Sequence, residues 1–108
     1  MKFQIEAKTI SLVFEDIKST NVESLMAELS VFMIHPQFKE SQIERFEFDF
    51  LKTKMIDSSG LNFVLNMIKE LKNKYTLSAK IGSPLVMKLF HQVKLDQLME
   101  CSFEEAKR

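Results

Sequence analysis

The sequence predicts an α/β fold, a single domain with a mixed four- to five-stranded sheet and helices packed mainly on one face. Two observations carry this. Stretches in which apolar and polar residues alternate with period two take turns with stretches whose apolar residues recur at three- and four-residue spacing, the order that builds strand–helix–strand units. Every strand-like stretch also alternates, whereas a strand covered on both faces reads as a continuous apolar run. The chain has 108 residues, a one-domain length, with no internal repeat or linker.

Phe3, Ile5 and Ala7 alternate with polar neighbours, and Ile10, Leu12 and Phe14 alternate with Ser11 and Val13. They predict two antiparallel strands joined by a tight turn near Lys8-Thr9. Asp16–Thr20 is a polar connection. A helix follows, capped by Thr20 or Asn21, with Glu23 in its first turn and an apolar stripe of Val22, Leu25, Met26, Leu29, Phe32 and Met33. His35-Pro36 stops it, because the residue before proline is pushed out of helical geometry. Gln37–Glu44 is expected to be a polar loop leading to the strand Phe46-Glu47-Phe48-Asp49-Phe50.

Behind that strand lies Met55-Ile56-Asp57-Ser58-Ser59-Gly60-Leu61, a turn into a helix with the stripe Leu61, Val64, Leu65, Ile68 and Leu71. Asp and Ser side chains accept hydrogen bonds from the orphan N–H groups of a first helical turn, and Gly60 permits close approach. Phe63 and Met67 fall beside this stripe, either covered by the final helix or exposed as an apolar docking pair. Asn73 is a candidate left-handed cap at the helix end. The next strand sets Leu77, Ala79 and Ile81 against Thr76, Ser78 and Lys80. Ser83 caps a helix with Pro84 in its first position and a stripe of Val86, Leu89, Phe90 and Val93. Leu95–Phe103 reads as a short helix or an edge strand, and Glu104–Arg108 as a frayed tail. The face bearing Gln4, Ser11, Glu47, Asp49, Ser78 and Lys80 is expected to be solvated.

Composition narrows the function. Fifteen basic and fifteen acidic side chains cancel, which leaves no footprint for nucleic acid or anionic membrane. A lone cysteine, Cys101, excludes an intrachain disulfide framework and makes a reducing cytoplasm the expectation. No stretch approaches membrane-spanning length. His35 and His91 have no cysteine or carboxylate at ligand spacing, and only Gly60 and Gly82 are available for a phosphate loop. Asp49 and Asp57 belong on different parts of the fold and form no acid–base pair. The expectation is therefore a protein that is not an enzyme and has no metal, no cofactor and no catalytic residue.

Asp57-Ser58-Ser59-Gly60-Leu61 at a strand-to-helix junction resembles the signature of the STAS domain, the family of anti-sigma factor antagonists. The family's strand pattern is met by Phe46–Phe50. Its Ser-Pro-x-Val-x-x-Leu-Phe segment is met by Ser83-Pro84, Val86 and Leu89-Phe90, and its closing Leu-x-x-apolar by Leu95 and Leu98. The similarity spans about Arg45 to Phe103. It implies a STAS-like domain acting by partner switching. An unphosphorylated antagonist binds an anti-sigma factor that is also a serine kinase, which releases a sigma factor. The kinase then phosphorylates the serine after the Asp, here Ser58, and a PP2C-type phosphatase restores the protein.

On this resemblance Asp57 orients the turn, Ser59 is the helix cap, and Asp57, Ser58, Ser59, Gly60, Asn62, Phe63, Met67 and Lys18 form the partner face of a cytoplasmic monomer or weak dimer. The pattern departs from the family at Glu15-Asp16-Ile17-Lys18, where a glycine is missing and Lys18 holds an Asp position. It departs again at Asn62 and at Lys74-Tyr75, where glycines are usual, and at Asn66, where a small residue is. The alternatives are a non-phosphorylated STAS subunit of an ABC-type lipid transporter and a STAS module sensing a nucleotide or lipid.

Overall fold

The alternation along Phe46–Phe50 sets the architecture. In the computed structural model, which describes residues 1–104, Phe46, Phe48 and Phe50 are fully buried, while Glu47 and Asp49 are only half-buried on the opposite face. They belong to β3 (Arg45–Phe50), the middle strand of a five-stranded sheet whose spatial order follows chain order. β1 (Lys2–Glu6) pairs antiparallel with β2 (Thr9–Val13), and β2, β3, β4 (Thr76–Ile81) and β5 (Glu100–Phe103) run parallel. Register lines the apolar positions up across strands: Ile10, Phe46 and Leu77 form one row, and Leu12, Phe48 and Ala79 the next.

Four helices connect the strands: α1 (Val22–Ile34), α2 (Pro36–Glu40), α3 (Ser58–Leu71) and α4 (Pro84–Gln92). They cover the phenylalanine face. Phe90 of α4 meets Phe50 edge-on at 5.2 Å, and Phe38 of α2 meets Phe46 at 6.0 Å. The other face stays open to water, crossed by a Lys80–Glu47 ion pair at 3.4 Å. The one-sided arrangement expected from the alternation is what forms.

Several local expectations need correction. The hairpin turn is Ala7-Lys8, with Ala7 at φ 55°, one residue earlier than expected, because a two-residue loop joins the Glu6–Thr9 pair. Gln37–Glu44 is not all loop. Pro36 opens α2, His35 caps it by accepting the Gln37 N–H at 3.1 Å, and Phe38 is buried, a single apolar anchor too isolated to show periodicity. The buried stripe of α3 is Gly60, Phe63, Val64, Met67, Ile68 and Leu71, rotated from the expected one so that Leu61 and Leu65 are half-buried at its rim. Small Gly60 contributes nothing to a hydrophobicity pattern, which hides the true phase.

Met26, assigned to the α1 core stripe, is 53% exposed. Asn73 has no left-handed backbone, whereas Lys94, before a 3-10 turn at Leu95–Gln97, has φ 61°. Leu95–Phe103 supplies both alternatives, that turn and edge strand β5. Of the expected frayed tail, Glu104 is hydrogen-bonded to the sheet through its N–H to Ile81 O at 2.8 Å. Residues 105–108 lie outside the described residues.

Candidate functional site

Beyond the ends of β2 and β3 the two chain segments continue side by side. Ile17 and Ile56 form an isolated parallel bridge: Ile17 N–H donates to Met55 O at 3.1 Å and Asp57 N–H to Ile17 O at 3.2 Å. Ile17 is fully buried, a lone apolar residue between Asp16 and Lys18 that fastens this extension to the core. Asp16 Oδ1 accepts from the N–H groups of Lys54 at 2.8 Å and Met55 at 3.1 Å. The Thr53 hydroxyl is the buried polar side chain of the junction, within hydrogen-bonding reach of Phe14 O at 3.0 Å and Glu15 O at 3.1 Å. Asn21 closes the loop from the other side, accepting from Lys18 N–H and donating to Asp16 O, both at 2.8 Å.

This frame leads α3 directly over Ile17. A Cβ on Gly60 would lie 2.1 Å from Ile17 O, so only glycine fits; its backbone is ordinary helix, and space rather than conformation selects it. Asp57 is the cap. One carboxylate oxygen accepts from Gly60 N–H and the other from Ser19 N–H, both at 2.8 Å. These bonds, Ser19's before Gly60's, hold its carboxyl below the usual carboxylate range. Because the lowered value belongs to the folded state, the stability it brings is present above the ordinary carboxylate pKa and is lost as pH falls through the folded value.

The expected cap, Ser59, is therefore corrected to Asp57. Ser58 and Ser59 occupy the first two helical positions, both exposed, and neither hydroxyl makes a hydrogen bond among the described residues. The oxygen that accepts from the first helical turn is supplied by Asp57 and not by Ser58, whose side chain is exposed.

Of the residues expected on the partner face, the structure brings together Asp57, Ser58, Ser59 and Asn62 on the exposed side of the turn, with half-buried Lys18 beside Ser19. Phe63 and Met67 are corrected: at 8% and 4% exposure they are core residues. Met26 and Leu29 of α1, rather than the final helix, lie against them across a shallow cleft. Gly60 is likewise buried, and its close approach is to Ile17 of the same chain.

Ser19 and Thr53 escaped the sequence reading, and so did the tasks of Asp16 and Ile17, which entered it as part of a departure from the family pattern. Only Ile17 carried a signal, as an apolar residue stranded in a polar connection. Elsewhere, His91 pairs with Asp96 at 2.9 Å on the surface. The Cys101 thiol is pushed up to about 11 by burial and by the charge of Asp96, so it is not a reactive thiolate at neutral pH. Among the described residues no group of three or more His, Cys, Asp or Glu side chains is placed to hold a metal, and no helix is long and apolar enough to cross a membrane.

No protein-family model matches the sequence, and no curated protein does. Solved structures do. The anti-sigma factor antagonist SpoIIAA in its unphosphorylated form aligns over 98% of this chain and 90% of its own, with 21% identity and a TM-score of 0.61. The chain has the STAS fold of SpoIIAA. The Bacillus cell fate determinant SpoIIAA in its phosphorylated form aligns over 95% of this chain and 93% of its own, with 22% identity and a TM-score of 0.63. Both alignments run over nearly the whole length of each chain.

Proposed function

We propose that this protein is a regulatory binding module of the anti-sigma factor antagonist kind, with Ser58 as its controlled residue. The observation that carries the reading is the division of labour at the turn. Asp57 holds the Ser19 loop with one oxygen and the first turn of α3 with the other, so the neighbouring serine hydroxyl has no structural task. SpoIIAA, which shares the fold, is known in phosphorylated and unphosphorylated forms. A phosphate at Ser58 would sit at the N-terminus of α3, where helix N–H groups and the helix dipole favour an anion, so the modification is compatible with the fold. It would add about −1.5 to −2 charges to the exposed turn formed by Asp57, Ser58, Ser59 and Asn62 and repel a partner shaped for a neutral hydroxyl.

The partners on this reading are an anti-sigma factor with serine kinase activity and a PP2C-type phosphatase. Lys18 and Asn62 flank the contact, and the protein acts in the cytoplasm without chemistry of its own.

Capture of partners from native cells with wild-type, Ser58→Ala and Ser58→Asp bait tests this. Ser58→Ala is expected to keep its partner. Ser58→Asp is expected to fold normally and to lose that partner by roughly 30-fold or more, the scale of an unpaired charge in an interface. Ser58→Asp binding every partner as wild type does would remove the reading.

A further inference from the structure

We propose that β1 is a self-complementary sheet edge through which two copies of this chain pair. The proposal is independent of the Ser58 reading. It starts from hydrogen-bond phase. Phe14 N–H reaches Asp49 O, so the even-numbered residues at this end of the hairpin's second strand direct their backbone groups toward β3, and the odd-numbered ones toward β1. Across the β1–β2 register Thr9, Ser11 and Val13 face Glu6, Gln4 and Lys2. The backbone of Phe3 and Ile5 is therefore the part of β1 that points outward, unpaired among the described residues. The strand carries no proline, Phe3 on its helix-side face is 42% exposed, and the two charged residues, Lys2 and Glu6, stand only at its ends.

A second copy fits this edge because of the sequence Lys2-Phe3-Gln4-Ile5-Glu6. Paired antiparallel about a two-fold axis at Gln4, Phe3 of each copy meets Ile5 of the other, and these are the positions with free N–H and C=O groups. Lys2 meets the second copy's Glu6 on the open face, where Gln4 and Glu6 already lie beside Ser11 and Glu47. Every pair in this register matches: apolar with apolar, opposite charges together, amide with amide. An axis perpendicular to the sheet keeps the helices of both copies on one side.

That arrangement also accounts for a feature the single chain leaves unexplained. α1 leaves large apolar side chains uncovered, with Val31 63% and Ile34 69% exposed, and an open groove of about 440 Å³ runs between it and β1, lined by Phe3, Ala27, Val31 and Phe32 together with Met1, Glu28 and His35. Exposed apolar surface grouped in this way commonly marks a contact site. In the pair, α1 of each copy flanks the axis and covers the groove of the other. The opposite edge, β5, offers no such match: antiparallel self-pairing centred on Cys101 sets Glu100 against Ser102.

Sedimentation of the full chain over a concentration series, with charge swaps, tests the pairing. Wild type is expected to show a monomer–dimer equilibrium. Lys2→Glu places Glu against the second copy's Glu6, and Glu6→Lys places Lys against Lys2. Each alone is expected to weaken association roughly tenfold or more, since two symmetric pairs change sign. A mixture of the two variants is expected to form the heterodimer, and the doubly swapped chain to recover the wild-type equilibrium, a pattern that loss of folding cannot produce. Val31→Glu is expected to weaken association through the groove. Wild type that stays monomeric at millimolar concentration would overturn the proposal, as would variants that associate like wild type or a mixture that fails to recover association.

Discussion

Gly60→Ala tests how the turn is held in place. The added Cβ would sit 2.1 Å from Ile17 O, 2.8 Å from Ile17 C and 3.0 Å from Ile17 Cγ2, and the first two are backbone atoms that cannot swing aside. Ile17 is itself pinned, fully buried and bridged to Ile56. Two effects oppose each other. Alanine is the better helix former by up to ~1 kcal/mol. Against it, forcing a methyl into filled space costs about 1–3 kcal/mol. Opening the bridge to relieve that clash adds the loss of the Asp57 N–H to Ile17 O bond, worth about 0.5–1.5 kcal/mol. The net expectation is a loss of about 2 kcal/mol.

With a urea slope of ~1–1.5 kcal/mol/M, the lower part of the usual range for small proteins, the midpoint falls by roughly 1–2 M. Equilibrium urea unfolding followed by circular dichroism reads this directly. Ser59→Ala, at an exposed position whose hydroxyl makes no hydrogen bond among the described residues, is the control, expected within ~0.5 kcal/mol of wild type. A Gly60→Ala protein as stable as wild type, or more so, would show that the Ile17 segment moves freely and that the turn is not fixed by this contact.

Two further outcomes follow from the same geometry. Phe63→Ala is expected to cost about 3–5 kcal/mol in urea melts and Leu65→Ala clearly less, the reverse of the order that the hydrophobic pattern gives; equal losses would contradict the buried placement of Phe63. Asp57→Asn is expected to be less stable than wild type near neutral pH. The difference should shrink as pH falls from the ordinary carboxylate pKa through the lowered folded value, below which the carboxyl is protonated in both folded and unfolded states. A stability gap unchanged from neutral to strongly acidic pH would mean that charge-assisted bonds from Ser19 and Gly60 are not what the carboxylate supplies.

What the sequence reveals of this fold is what period and punctuation encode. The alternation of Phe46–Phe50 and of Leu77–Ile81 marks strands with one dry face, and Ser83-Pro84 marks a helix start, because these signals are local. Phe38 could not be read this way: one buried ring in five residues makes no period, and its burial depends on Phe32, Phe46 and Tyr75, distant in sequence. The phase of α3 was obscured by Gly60, which is buried but has no side chain to register in a hydropathy pattern. At the turn, residue types told that a cap was present but not which residue served. Asp57 wins over Ser59 because its second oxygen also reaches Ser19, a partner thirty-eight positions away that only the parallel bridge brings near. In α1 only Met26 departs from the stripe that spacing gives: it neighbours Leu25 and Leu29 on the helix but is exposed, because spacing marks a face and not how far the chain covers it.

The central claim is that Ser58 receives the phosphate that controls binding, and mass spectrometry of the protein isolated from its native cells tests it most directly. The Asp57–Leu61 turn lies in the peptide between Lys54 and Lys69, which carries Ser58 and Ser59 as its only serines and no threonine or tyrosine. Fragment ions can therefore assign the site without ambiguity. The account predicts a phosphorylated fraction with the added mass on Ser58, lost on treatment with a PP2C-type phosphatase and absent from Ser58→Ala. Phosphate on Ser59 alone, or none on this peptide under any growth condition in which the partner is bound and released, would contradict it.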